Sequence, residues 1–93
     1  MAIRSFADKR MERAVRNGDY RRVHPSRRRR VRAALSDLDQ ARSVQDMALP
    51  RYRLHPLAGS LSGFYSVRVG RMERVIFRFE DGNAYDVRLV DYH

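Results

Sequence analysis

The hydrophobic residues of this 93-residue chain change their spacing once, near Tyr52, and that change limits the folds open to it. Before it, apolar residues recur at helical intervals; after it, they alternate. Ala7, Met11, Ala14 and Val15 follow the helical period, and Asn17-Gly18-Asp19 supplies a stop. A second helix is predicted from about Pro25 to Gln40, with Pro25 in its first turn and Val31, Ala34, Leu35, Leu38 and Ala41 on one stripe. The two helices are expected to pair as a short hairpin. Ser43-Val44-Gln45-Asp46 has the form of a capping box that opens one extra turn before Pro50. A chain of this length is read as one domain, residues 1–93.

In the second half, Tyr65, Val67 and Val69 alternate with Ser66 and Arg68. Val75, Phe77 and Phe79 alternate with Arg74, Ile76 and Arg78, and Tyr85, Val87 and Leu89 with Asp86, Arg88 and Val90. Asp81-Gly82-Asn83 marks a hairpin turn. A two-residue loop would set Phe77 opposite Asp86 and place a charge in the apolar face. A three-residue loop pairs Phe79 with Tyr85, Phe77 with Val87 and Val75 with Leu89, so the hydrophobic pattern selects it. The opposite face then carries Arg74, Arg78, Asp86, Arg88, Val90 and Tyr92. Asp86 neutralises Arg78 across the strands, and no carboxylate opposes Arg74 or Arg88, the cations this face offers a ligand. Ile3-Arg4-Ser5-Phe6 is a candidate extra strand. The expected fold is α+β: an N-terminal helical hairpin on one face of a small antiparallel β-sheet, with the other face partly open.

Charge narrows the function. Twenty basic residues, nineteen of them Arg, oppose eleven acidic ones for a net +9. A field of this size attracts polyanions, and guanidinium forks suit phosphate, so nucleic acid or an acidic protein is the expected partner. Arg27-Arg28-Arg29-Arg30 opens the second helix, where cations oppose the helix dipole, which again suggests an anionic partner. With no cysteine, disulfides and thiolate zinc sites are excluded. Carboxylates are not clustered at ligand spacing, and phosphate-loop, dinucleotide-turn, nucleophile-elbow and HExxH motifs are absent, so no metal or cofactor is expected. The first residues lack the apolar run of a signal peptide and no stretch could span a membrane, so a cytoplasmic location is expected.

Three histidines remain. His24, before Pro25 among arginines, reads as a surface or capping residue. His55 precedes Pro56, which holds it extended and ends a strand there, so His55 should stand at a sheet edge. His93 follows Asp91-Tyr92 at the end of a strand pattern. RNA cleavage without a metal requires a base for the ribose 2′-hydroxyl, a cation for the phosphorane and an acid for the 5′-oxygen. His55, Asp91, Tyr92, His93 and Arg74 supply those residue types, provided the last strand brings residues 91–93 beside the Leu54–Pro56 corner.

Across nearly its whole length the chain resembles the HigB-type toxins, the plasmid-maintenance killer branch of the RelE/ParE superfamily. The resemblance rests on Ile3-Arg4-Ser5-Phe6 with Lys9, on 43–50, and on Tyr52-Arg53-Leu54-His55-Pro56-Leu57 with Gly59. It continues through Gly63-Phe64-Tyr65-Ser66-Val67, Arg74 with Phe77-Arg78-Phe79, Gly82-Asn83-Ala84-Tyr85-Asp86-Val87 and the closing Asp91-Tyr92-His93. It implies a RelE-like fold and a ribosome-dependent endoribonuclease that cuts mRNA in the A site and arrests growth. It also implies a HigA-type helix-turn-helix antitoxin, with operator DNA bound only through the antitoxin complex. His55, Asp91, Tyr92 and His93 match the family's catalytic positions, and Arg74 its phosphate-binding arginine. Two departures stand out. Ala58 replaces a lysine of many members, and Gly70-Arg71-Met72-Glu73-Arg74 replaces Gly-Asn-Trp-Arg, so Arg71 is read as a substitute cation and Arg88 as a further substrate contact. The alternative is a ParE-like toxin that binds a protein such as DNA gyrase and has no use for the two histidines.

Overall fold

The computed structural model describes residues 2–91. Helix α1 spans Lys9–Asn17 and α2 spans Arg28–Gln40; strands β1 (His55–Pro56), β2 (Phe64–Arg68), β3 (Glu73–Glu80) and β4 (Asn83–Asp91) follow. Asp8 caps α1 by accepting from the Arg10 N–H at 2.8 Å, and Gly18 ends the helix in the left-handed region, φ +66°. Pro25–Arg27 form a 3₁₀ turn rather than the start of α2, capped by His24, whose Nδ1 accepts from the Ser26 N–H. The expected extra turn lies at Val44–Met47, where the Asp46 carboxylate accepts from the backbone N–H groups of Arg42 and Ser43.

The sheet is an antiparallel meander in the order β1-β2-β3-β4. Its outer edge at β4 is covered by the N-terminal segment, which runs parallel to it through bridges Ile3–Ala84 and Phe6–Val87. Four backbone hydrogen bonds there occupy groups an edge strand would otherwise leave open. α1 lies against β4, and the stripe Val31, Ala34, Leu35 and Leu38 of α2 enters the same core as Met11, Val67, Val75, Phe77 and Val87. Phe77 is fully buried between Tyr65 and Phe79, ring centroids 6.2 and 6.5 Å away. Burying a side chain of that size contributes about 1.5–3 kcal/mol.

The β3–β4 hairpin departs from the three-residue loop. Glu80 pairs with Asn83, Phe79 with Ala84 and Arg78 with Tyr85, so the loop is the dipeptide Asp81-Gly82, with φ +51° and +77°. Two successive positive φ values are what a right-twisted two-residue hairpin requires, and Asp-Gly supplies them. Farther along, Ile76 pairs with Arg88 and Val75 with Leu89, as the hydrophobic pattern demands. The two registers are joined by a bulge: Phe77 alone faces Asp86 and Val87, and Asp86 adopts φ +56°. The bulge keeps the Asp86 charge out of the core without lengthening the loop. It also places Tyr85 on the outer face beside Arg78 rather than in the core opposite Phe79. Arg78 and Asp86 do pair, Nε to Oδ2 at 3.0 Å.

Candidate functional site

Register alone composes the open face. His55 pairs with Ser66, Ser66 with Ile76 and Ile76 with Arg88, so these four side chains share one side of the sheet. Arg68 and Arg74, directly opposite each other, stand on the same side, as does Phe64. Ser66 and Ile76 are 1% exposed and floor a shallow trough.

The first wall of the trough is built by the bend before β1. Tyr52 is buried; its hydroxyl donates to the Asp37 carboxylate of α2, and its backbone carbonyl accepts from the Arg68 N–H. Arg51 lies over the Tyr52 ring, 4.9 Å from its centroid, and reaches the same carboxylate at 3.2 Å. Burial raises the Tyr52 phenol, and its hydrogen bond to Asp37 adds to the rise. From this anchor the chain turns through Arg53, whose φ of +46° is rare for a bulky residue, into exposed His55 and Pro56. The Leu57 N–H then bonds to the Phe64 carbonyl and closes the corner against β2.

His55, Arg74, Ser66, Arg53 and Leu57 line one hollow of about 330 Å³. The structure thus brings the His55 imidazole and the Arg74 guanidinium to one hollow, with Ser66 among its lining residues. Arg88 reaches across the face: its guanidinium lies 5.2 Å from the Phe64 ring centroid, and its Nε is buried without a hydrogen-bond partner among the described residues. Arg71 is exposed in the β2–β3 turn and lines a different hollow, with Arg53 and Arg68. Ala58 is exposed beyond the β1 corner.

Asp91 ends β4 opposite Glu73. β4 and β1 are the two outer strands of the meander, so His55 and Asp91 stand at opposite edges of the sheet. Three strand spacings separate them, about 14 Å. Tyr92 and His93 lie outside the described residues. No three His, Cys, Asp or Glu side chains converge among the described residues.

Two residues of the site escape a reading based on chemical type alone. Arg68 was legible as an outward residue between Val67 and Val69, but its place opposite Arg74 needs the β2–β3 register. Arg53, two residues before His55, is marked only by its backbone. The arginine run at the start of α2 divides. Arg27 pairs with Glu73 at 2.8 Å and lowers its carboxyl, while Arg28 donates to the Val23 and Arg21 carbonyls. Arg29 and Arg30 stay exposed. Gly70 lacks a Cβ where one would strike both Arg27 and Glu73.

The α+β arrangement is shared with known structures. Over its full length the chain superposes on YoeB of Staphylococcus aureus (97% of that chain, TM-score 0.61, 15% identity), and over 96% of its length on YafQ of E. coli (90%, TM-score 0.60, 19%). The family model described as the RelE-like toxin of type II toxin–antitoxin system HigB matches residues 4–93. Over 64 residues, 69% of this chain and 70% of the relative, it is 34% identical to Endoribonuclease HigB of Proteus vulgaris. The chain belongs to the HigB-like family of RelE-like toxins, which act within type II toxin–antitoxin systems and so imply an antitoxin partner. A ParE-like assignment is not favoured.

Proposed function

We propose that this toxin is an endoribonuclease that cuts mRNA in the ribosomal A site through metal-independent proton transfer. The observation that carries the reading is the shared hollow of His55 and Arg74 on the exposed sheet face. Arg74 holds the scissile phosphate and offsets the charge that develops on the phosphorane. His55 exchanges a proton with the 2′-hydroxyl or the 5′-oxygen, and Asp91, Tyr92 and His93 supply the complementary transfer. Arg88 and Arg71 contact flanking parts of the substrate. The relative from Proteus vulgaris is named an endoribonuclease, which supports the same chemistry here. So small and open a site gains RNA positioning from the ribosome, whose RNA attracts a +9 protein in the cytoplasm. A HigA-type helix-turn-helix antitoxin covers the toxin, and only that complex meets operator DNA.

Mapping mRNA 5′ ends after brief induction tests the reading. New ends inside translated codons are expected, and His55→Ala should cut their formation about 10²–10⁴-fold, the range for loss of an acid–base group. Truncation before Asp91 should do the same, and a 2′-deoxyribose at the cut nucleotide should block cleavage. Growth arrest undiminished by His55→Ala, with no new 5′ ends, would transfer the chain to the protein-binding class.

A further inference from the structure

A second hollow, of about 540 Å³, opens between α2 and the Tyr52–Arg53 bend, and it is lined by Arg30, Arg51, Arg53, Arg68 and Arg71. None of its lining residues is acidic. Among the described residues, the one carboxylate in contact with these five guanidiniums is Asp37, on Arg51. Arg68 turns its Nε to the Gly70 carbonyl. Five arginines elsewhere pair with carboxylates: Arg10 with Asp8, Arg16 with Glu12, Arg21 with Asp19, Arg27 with Glu73, and Arg78 with Asp86 and Glu80. Like charges gathered in a concavity repel one another and focus a positive field into it. Such a cluster is stabilised by an anion that bridges several guanidiniums.

Arg53 lines both this hollow and the one that holds His55 and Arg74, so the two adjoin at its side chain. Arg68 lines the second hollow and stands opposite Arg74 of the first. The positive φ of Arg53 is the backbone feature that sets its side chain at this junction. We infer that the arginine hollow is a subsite for the phosphates of single-stranded RNA that flank the phosphate held by Arg74. The inference rests on the ribonuclease reading for the identity of the strand. A strand that places one phosphate at Arg74 carries its neighbours past Arg53, where Arg30, Arg51 and Arg71 receive them without regard to base.

The test compares binding of two 2′-O-methyl RNAs, which the 2′-hydroxyl chemistry cannot cleave: a trinucleotide and a dodecanucleotide. Both are titrated over a range of salt concentrations against three proteins: wild type, Arg30→Gln/Arg53→Gln, and Arg13→Gln/Arg22→Gln. The last pair removes equal charge from a separate hollow beside Asp19. For the dodecanucleotide, the Arg30/Arg53 variant should flatten the slope of log affinity against log salt by about 1.4, some 0.7 for each single-strand phosphate that no longer meets an arginine. Its trinucleotide slope should flatten by no more than about 0.7, because Arg53 also lines the His55 hollow and Arg30 does not. Its thermal midpoint should stay near wild type, and the Arg13/Arg22 variant should keep the wild-type slope. Equal flattening in both variants would reduce the hollow to a share of the general field and overturn the subsite. So would poly-glutamate of the same length binding as tightly with the same sensitivity to Arg30 and Arg53, which would give the hollow to an acidic protein segment. Failure of the ribonuclease reading shows separately, as absent mRNA 5′ ends with the length-dependent binding intact.

Discussion

At the scale of single residues, the protein uses its few acids as anchors. Asp8 takes four hydrogen bonds: the Arg10 N–H, the Arg10 guanidinium twice, and the Leu89 N–H of β4 at 3.1 Å. Burial pushes its carboxyl up, but the Arg10 side chain and the Leu89 and Arg10 amides together outweigh that, and the net shift is downward. A depressed carboxyl contributes stability that is present above its unfolded value, near 3.8, and is lost as pH falls through the lower folded value. Asp8→Asn keeps the shape and removes the charge. It should lower unfolding free energy at pH 7 by about 1–2 kcal/mol, the scale of a helix cap and a charged hydrogen bond. The deficit should shrink toward zero in acid, once Asp8 of the wild type is itself protonated. Urea unfolding of the two proteins at pH 7 and pH 2 measures both quantities, and a deficit unchanged in acid would mean that shape rather than charge holds the anchor. The Arg27–Glu73 pair over Gly70 does similar work for the turn that leads into Arg74.

At the scale of elements, the hydrophobic pattern reported which faces of β3 and β4 are buried, because burial acts on side chains two at a time along a strand. It could not report the loop length, because an extra residue can be absorbed anywhere between the turn and the first deep pair. Asp-Gly chemistry at 81–82 favoured the short loop, the core favoured the shifted register, and Asp86 reconciles them by taking a left-handed backbone. Asp tolerates that conformation better than most residues, and the Ser5 hydroxyl accepts from its N–H at 2.9 Å. Deletion of Asp86 should therefore leave a regular hairpin with the same core pairs, Val75 with Leu89 and Ile76 with Arg88, and with Phe77 directly opposite Val87. Deletion of Arg88 should instead force either Asp86 or an outward face into the core and destabilise the fold by several kcal/mol, the cost of burying an unpaired charge. Amide hydrogen exchange separates the two outcomes: protection across β3 and β4 should survive the first deletion and collapse in the second. The end of α1 was legible for a simpler reason. Gly18 is itself the cap that ends α1, whereas the Asp8 cap that opens it and the 3₁₀ turn before α2 leave no mark in apolar spacing.

At the scale of the whole molecule, strand order is what the sequence could not express. Hairpins join β2 to β3 and β3 to β4, and β1 adds outside β2, so the meander sets its first and last strands as far apart as four strands allow. His55 thus stands on the open face at one edge, whereas Asp91, level with Glu73, stands on the helix-covered face at the other, in a hollow lined by Arg10, His24, Arg27 and Glu73. Along the strands the two are further offset, since His55 is in line with Arg88 and Asp91 lies three residues beyond it. Combining three strand spacings of about 4.8 Å with three residue rises of about 3.4 Å puts the Cα atoms roughly 17–18 Å apart. Groups that distant do not support each other's folding, so the unfolding free energies of His55→Ala and Asp91→Asn should add to within about 0.5 kcal/mol in the double variant. Their effects on cleavage should behave otherwise. If both serve the same cleavage step, removing the first already stalls it, and removing the second adds far less than its own single loss. Additive stabilities with non-additive rates would show that the RNA itself assembles the reacting groups. Additivity in both would leave Asp91 a structural residue of the β4 edge, and coupling in both would require an edge-to-edge contact that this strand order does not provide.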